Sequence, residues 1–149
     1  VAKICHYFNI TFMFDLLLGG PGETKETLKE TVEKMKELNP DRIGVNLGVR
    51  IYPGTRLAEY VRGEGKKHLV GRIEENEDLL FPVFYLSPDK EATIEYLCEL
   101  IGDDERFYFA PLGERKNYNY NDNRILVEAI KKGERGAFWD ILRRIGSHY

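Results

Sequence analysis

The chain has 149 residues, a net charge of −3, 42% hydrophobic and 32% charged residues, and two cysteines. That balance gives no basic face for nucleic acid, no apolar run reaches the roughly 20 residues of a membrane span, and the length suits one ordinary core. Cys5 and Cys98 stand far apart, which argues against a disulfide framework and for a reducing cytoplasm. A wealth of Lys and Glu with no glutamine is a bias common in thermophile proteins.

In chain order, Val1, Ile4, Cys5 and Phe8 recur at helical spacing. The segment reads as the end of a helix whose beginning is missing, with Cys5 as a buried small hydrophobe and His6 as an ordinary helix-face residue. Asn9 supplies a break. The run FMFDLLLGGPGET follows, and Leu16, Leu17 and Leu18 predict a strand covered on both faces. Asp15, opposite Leu16 and Leu18 by alternation, is expected to hydrogen-bond at a seam or bulge. Gly19, Gly20 and Gly22 allow a tight reversal and Pro21 fixes one φ within it. Thr24 is the expected N-cap of a helix carrying Leu28, Val32, Met35 and Leu38, with Glu26 in its first turn, and Asn39-Pro40 ends it. A second strand, RIGVNLGVRIY, completes a βαβ unit. If that strand alternates throughout, Ile43, Val45, Leu47, Val49 and Ile51 share an apolar face, and Gly44, Asn46, Gly48, Arg50 and Tyr52 share the other. In a (β/α) barrel the mixed face would line a ligand lumen to which the glycines give room; the bland alternative is an edge strand with a wet polar face.

Thr55 is expected to cap a short helix with Leu57, Ala58 and Val61, ended by Gly63 and Gly65. Lys66 to Asp78 reads as a charged, solvated loop. Leu79 to Pro88 contains Pro82, which argues for an edge strand or an extended segment. Ser87-Pro88 is a helix start for Ala92, Ile94, Leu97, Cys98 and Ile101, stopped by Gly102. Phe107-Tyr108-Phe109 reads as core packing. The polar KNYNYNDN segment precedes a helix capped by Asp122 or Asn123 and ended by Gly133, then a helix from Arg135 with Phe138, Trp139, Ile141, Leu142 and Ile145.

The run DLLLGGPGETKETLKETVEKMKELNPDRIGVNLGVRIYPGT resembles the fifth strand, fifth helix and sixth strand of radical S-adenosylmethionine enzymes. Their strand pattern G-x-I-x-G-x-x-E, aligned on Glu23, falls on Leu16, Leu18, Gly20 and Glu23, with Leu16 in place of the first glycine. The resemblance implies Leu18 as the adenine contact, Gly20 and Glu23 as shapers of the turn, and Ile51 and Tyr52 as the rest of the pocket. With the polar strand residues Asn46 and Arg50, the expected cofactor-binding set is Leu18, Gly20, Glu23, Asn46, Arg50, Ile51 and Tyr52, with no metal ligand and no assigned catalytic residue. The two C-terminal helices, through NYNDNRILVEAI and GAFWDILRRI, resemble the extension of radical enzymes that also carry a cobalamin-binding domain.

The resemblance implies an α/β fold: residues 1–66 as the C-terminal half of a partial (β/α) TIM-like barrel, and residues 67–149 as a small, mostly helical capping region. It implies S-adenosylmethionine, a four-iron four-sulfur cluster and a cobalamin as cofactors, a small-molecule substrate, radical formation from S-adenosylmethionine and methyl transfer. The family's cluster needs three cysteines spaced C-x-x-x-C-x-x-C, since thiolates are the ligands such clusters take. Two distant cysteines cannot supply them, so the cluster ligands and the cobalamin domain are expected in a missing N-terminal part of the same protein. The isolated chain is expected to be inactive and to self-associate through its open edge. The rival readings are a non-catalytic βαβ interaction module and a non-radical barrel enzyme using Arg50 for an anionic substrate.

Overall fold

The computed structural model describes residues 1–64, 68–71, 82–86, 89–119 and 122–146. Helix α1 (Ala2–Tyr7) leads through Asn9, at a φ of 52°, into β1 (Met13–Leu18). Then come α2 (Lys25–Leu38), β2 (Arg42–Leu47), β3 (Val49–Arg50), α3 (Arg56–Glu64), β4 (Leu69–Gly71) and β5 (Val83–Tyr85). The chain continues with α4 (Lys90–Ile101), β6 (Phe107–Tyr108), α5 (Arg124–Lys131) and α6 (Phe138–Gly146). Among the described residues the strands form two sheets, ordered β1-β2-β6 and β3-β5-β4. In the first, β2 and β6 run parallel with Ile43 opposite Phe107. In the second, β5 is antiparallel to both neighbours. The result is a mixed α/β fold with a parallel sheet.

Local chemistry sets the element ends. Thr24 caps α2 by a reciprocal pair, its N–H donating to Thr27 Oγ1 at 2.9 Å and its Oγ1 accepting from the Thr27 N–H at 3.3 Å. The arrangement is a capping box with threonine in the glutamate position. Asn39, at a φ of 48°, ends α2 before buried Pro40. Thr55 Oγ1 accepts from the Ala58 N–H at 3.2 Å and caps α3. Asn123 is buried and accepts from the Leu126 N–H at 3.0 Å at the start of α5. The expected start of α4 at Ser87-Pro88 lies outside the described residues; the observed cap is Asp89, whose Oδ1 accepts from the Ala92 N–H at 3.3 Å.

The chain divides into two compact units that interleave in sequence. One comprises Val1–Asp15, Met35–Val45 and Ile101–Tyr149. Its core joins Tyr108 of β6 to Leu126, Ala129, Ile141 and Leu142 of α5 and α6, so the aromatic segment is core as expected and also supplies an unexpected strand. Within it, Arg106 makes paired hydrogen bonds to Asp104 (Nε to Oδ1 2.9 Å, Nη2 to Oδ2 2.6 Å) and donates to Asn39 Oδ1 at 2.6 Å. The second unit comprises Leu16–Lys34 and Asn46–Leu100, with a core of Ile51, Ala58, Val61, Val83 and Tyr85. The expected boundary between residues 66 and 67 lies outside the described residues.

Several expectations are corrected. The run from Arg42 to Tyr52 is two strands in different sheets, because Gly48 takes a φ of 103° and breaks the alternation. Leu17 is 64% exposed, so β1 is covered on one face only. The described part of the 79–88 run is no edge: among the described residues Val83–Tyr85 is the central strand of its sheet. Pro82 precedes that strand, where its missing N–H costs no ladder bond. Part of the expected 66–78 loop, Leu69–Gly71, is strand β4, and residues 72–78 lie outside the described set. On α1 the spaced apolar residues Val1, Ile4 and Phe8 are exposed and Cys5 is half-buried.

The Arg106 hydrogen bonds hold the Asp104 carboxyl below the usual carboxylate range against the opposing effect of burial. A lowered folded-state pKa contributes stability above the unfolded value, and that contribution is lost as pH falls through the folded value. Arg106→Ala is expected to cost about 2 kcal/mol at neutral pH, the scale of orphaning a partly buried hydrogen-bonded group. In urea titrations the gap between mutant and wild type should narrow as the pH falls through that lowered range; a gap independent of pH would contradict the role of the ion pair.

Candidate functional site

The carboxyl end of β1 is shaped by backbone. Leu18 is followed by Gly19 at a φ of 85°, whose N–H donates to the Glu23 carboxylate in a short hydrogen bond. The Glu23 N–H returns to the Gly20 carbonyl at 3.2 Å, and Gly22, at a φ of 79°, carries the chain towards α2. Glu23 therefore clasps the turn with side chain and backbone together. A Cβ on Gly19 would lie 3.0 Å from Leu47 Cδ1 and 3.5 Å from the Gly48 nitrogen, so this glycine allows the end of β2 to approach closely.

Gly48 is the pivot of the site. Its N–H donates to the Leu18 carbonyl at 2.7 Å, and one residue later the chain pairs with β5 in the other sheet. The Ile51 N–H then donates to the Val83 carbonyl at 2.9 Å. Where a strand leaves its parallel sheet, the carboxyl end of its neighbour is left open, and ligands of α/β sheets bind in such crevices.

The expected site residues divide into two kinds. Leu18 is 3% exposed and Ile51 1%, so both side chains are packed. Gly20 and Glu23 form the turn, with Glu23 half-buried. Asn46, Arg50 and Tyr52 are exposed, and Arg50 Cζ lies 4.8 Å from the centre of the Tyr52 ring. Leu17 and Asn46, both exposed, alternate with buried Leu18 and Val45. Gly19 was expected in the reversal and Gly48 as room for a ligand; the exposure of Leu17 and the change of sheet at Gly48 were not foreseen. Period-two alternation from Asp15 singles out Leu17, but the run of three leucines hid it. A small cavity of about 160 Å³ beside the turn is lined by Glu23, Thr24, Lys25, Asp89, Thr93 and Tyr96 among others. It falls below the roughly 300 Å³ at which small-molecule pockets begin.

Gly44 does not open a lumen. A Cβ there would collide with Asp15 and Met13 and sit 2.8 Å from the Tyr118 hydroxyl. That hydroxyl donates to Asp15 Oδ1 at 2.8 Å, which gives Asp15 the hydrogen-bonding role expected of it and brings part of the KNYNYNDN segment onto the sheet. Nearby, Arg42 Nε donates to the Tyr108 hydroxyl at 3.3 Å, which in turn donates to the Trp139 carbonyl at 3.3 Å. Burial pushes the Tyr108 phenol up, and Arg42 opposes that shift. Among the described residues no group of three or more Cys, His, Asp or Glu could hold a metal ion, and burial raises the Cys98 thiol pKa. Two cysteines, Cys5 and Cys98, cannot supply the three thiolates such a cluster takes, so the residues present do not fit one.

These features define a mixed α/β scaffold in which the ends of β1 and β2 meet at glycines. No family model matches the chain. It is 27% identical over 187 aligned positions to tryptophan 2-C-methyltransferase of Streptomyces laurentii, an alignment covering 93% of this chain and 31% of that protein. The solved structure of the radical S-adenosylmethionine methyltransferase TsrM from Kitasatospora setae, with tryptophan and an S-adenosylmethionine analogue bound, superposes with a TM-score of 0.76 at 24% identity, over 95% of this chain and 33% of that one. A second TsrM structure, with cobalamin and a [4Fe-4S] cluster bound, gives a TM-score of 0.66 at 21% identity. The chain thus resembles part of a radical S-adenosylmethionine enzyme and spans about a third of the length of the relatives it matches. That TsrM structure holds the cluster and the cobalamin; this chain has two cysteines, too few for the cluster's three thiolate ligands.

Since only glycine tolerates the backbone at residue 48, Gly48→Ala is expected to cost about 1–3 kcal/mol of stability. Urea unfolding measures it; an unchanged midpoint would show that the strand does not depend on that conformation.

Proposed function

We propose that this chain works as part of a longer radical S-adenosylmethionine enzyme, forming the later strands of a partial (β/α) barrel and one wall of its S-adenosylmethionine and substrate site. The similarity that extends over 95% of the chain to TsrM carries the reading, and the glycine-bounded end of β1 with its Glu23 clasp supports it. In this proposal Leu18 and Ile51 form the packed floor under the adenine, Gly20 and Glu23 set the turn beside it, and Asn46, Arg50 and Tyr52 present polar and aromatic groups to ligand. The missing part of the enzyme would supply the cluster, whose chemistry is the one-electron cleavage of S-adenosylmethionine. Methyl transfer to an unactivated carbon of a small molecule, with cobalamin as a second cofactor, is the finer proposal, drawn from the relatives' activity. A reducing cytoplasm suits the lone thiols.

The exposed surface supports a role as part of something larger. Val1, Ile4, Tyr7, Phe8 and Ile10 are all exposed, and β1 has one neighbour among the described strands. An apolar surface of this kind beside an unpaired strand edge is a docking surface. In the absence of the remaining polypeptide, a second copy would cover it. No helix among the described residues is long and apolar enough to cross a membrane.

Two measurements on the purified chain check this reading. Light scattering is expected to report a dimer or larger, and a stable compact monomer would contradict that. Anaerobic incubation with iron, sulfide, reductant and S-adenosylmethionine is expected to yield neither a cluster nor 5′-deoxyadenosine. Formation of 5′-deoxyadenosine by this chain alone would overturn the division of labour.

A further inference from the structure

A cavity of about 300 Å³ opens between the first turn of α5 and the last turn of α6, lined by Ile125, Leu142, Ile145, Gly146 and Arg115. All five residues belong to the first compact unit. That volume is where small-molecule pockets begin. Three branched aliphatic side chains form the wall, and among the described lining residues Arg115 alone brings a polar side chain. The wall is held from behind: Leu142 is buried with Tyr108 and Leu126, and Ile145 packs against the same core. Asp140 fixes α6 further by pairing with Arg143 at 2.8 Å and Arg144 at 3.3 Å. Arg115 sits on a single 3-10 turn, Glu114–Lys116, tied down where Lys116 Nζ donates to the Asp104 carbonyl at 3.3 Å. It is exposed, and no carboxylate of the described residues is paired with it.

We propose that this cavity binds a straight-chain aliphatic carboxylate, its chain against Ile125, Leu142 and Ile145 and its head on Arg115. An aliphatic wall offers water no hydrogen bonds, so methylenes displace weakly held solvent and gain in proportion to the area they bury. A fork of parallel N–H donors matches the two oxygens of a carboxylate, and at an exposed residue that head keeps part of its hydration. A neutral chain leaves the guanidinium unused, and an aliphatic amine brings like charge to it. S-Adenosylmethionine does not suit the lining: its adenine nitrogens and ribose hydroxyls would face methyl groups without partners, a cost that its own carboxylate on Arg115 does not remove. Aromatic acids find no ring there to stack on. The inference is independent of the radical-enzyme reading, because it uses none of the strand-end residues assigned to S-adenosylmethionine.

The test uses the 149-residue chain with ¹³C-labelled Ile and Leu methyl groups, together with calorimetry. The probes are butyrate, hexanoate, octanoate, 1-octanol, octylammonium and indole-3-acetate. Octanoate is expected to shift the methyl signals of Ile125, Leu142 and Ile145 and to leave those of Ile43 and Ile51, buried elsewhere, in place. From butyrate to octanoate, affinity should rise about fourfold per methylene. Octanol and octylammonium should bind about tenfold more weakly than octanoate, and Arg115→Gln should bring octanoate down to the level of octanol while leaving octanol unchanged. Ile125→Asp, at an exposed position whose effect on the helix circular dichroism checks, should weaken octanoate by at least as much. The proposal is overturned if about 10 mM octanoate leaves the three residues unmoved, if octanol or indole-3-acetate binds as tightly as octanoate, or if Arg115→Gln binds octanoate as wild type does. Light scattering is expected to give the same mass with and without octanoate. A mass that falls as octanoate binds would assign the cavity to a contact with a second copy and overturn the small-molecule site.

Discussion

The hydrogen bond from the Gly48 N–H to the Leu18 carbonyl, 2.7 Å long, fixes how the two glycine-bearing strand ends meet. It is made at a residue whose φ of 103° only glycine adopts without strain. Because the bond is kept and the strand nevertheless turns away, Val49 and Arg50 pair with β5 in a second sheet. Gly19 is the counterpart on β1: a side chain there would press on Leu47 and on the Gly48 backbone. Two glycines facing each other thus let two strands come together and part again within one residue. Leu18 and Ile51, on either side of Gly48 in this arrangement, are both buried.

Much of this was legible in the residues. Thr24, Thr55, Asn39 and Gly133 punctuate helices where side-chain chemistry says they should, because caps depend on neighbours three or four residues away. Asp15 was assigned a hydrogen-bonding role from alternation alone, and Tyr118 is its partner, 103 positions along the chain. What alternation could not supply was the break at Gly48. A glycine inside an apolar strand reads equally as a gap for a ligand, a bulge or a change of sheet, and the choice is made by β5, which lies far along the sequence. The same blindness to partners explains Gly44, whose missing side chain makes room for Asp15, Met13 and Tyr118 instead of an open lumen. Pro82 misled in another way: it stands before its strand, and a proline inside a run cannot be told from one at its start without the ladder.

Leu17 and the large apolar residues of α1 are exposed. Val1, Ile4 and Phe8 are exposed at α1, and among the described residues β1 has one neighbouring strand, so its other edge offers unpaired backbone groups. The C-terminal helices, by contrast, find full burial for Leu126, Ile141 and Leu142 within their own unit, anchored on Tyr108. The chain matches about a third of the length of a radical S-adenosylmethionine methyltransferase, and several of its exposed apolar residues lie at α1 and β1.

The account turns on the ends of β1 and β2 being where a nucleoside ligand sits. Photolabelling with 8-azido-S-adenosylmethionine, followed by peptide mapping, tests this most directly. The account predicts that label enters peptides containing Leu16 to Glu23 and Asn46 to Tyr52 and is competed away by unmodified S-adenosylmethionine. Label confined to peptides outside both stretches, or unaffected by competitor, would contradict it.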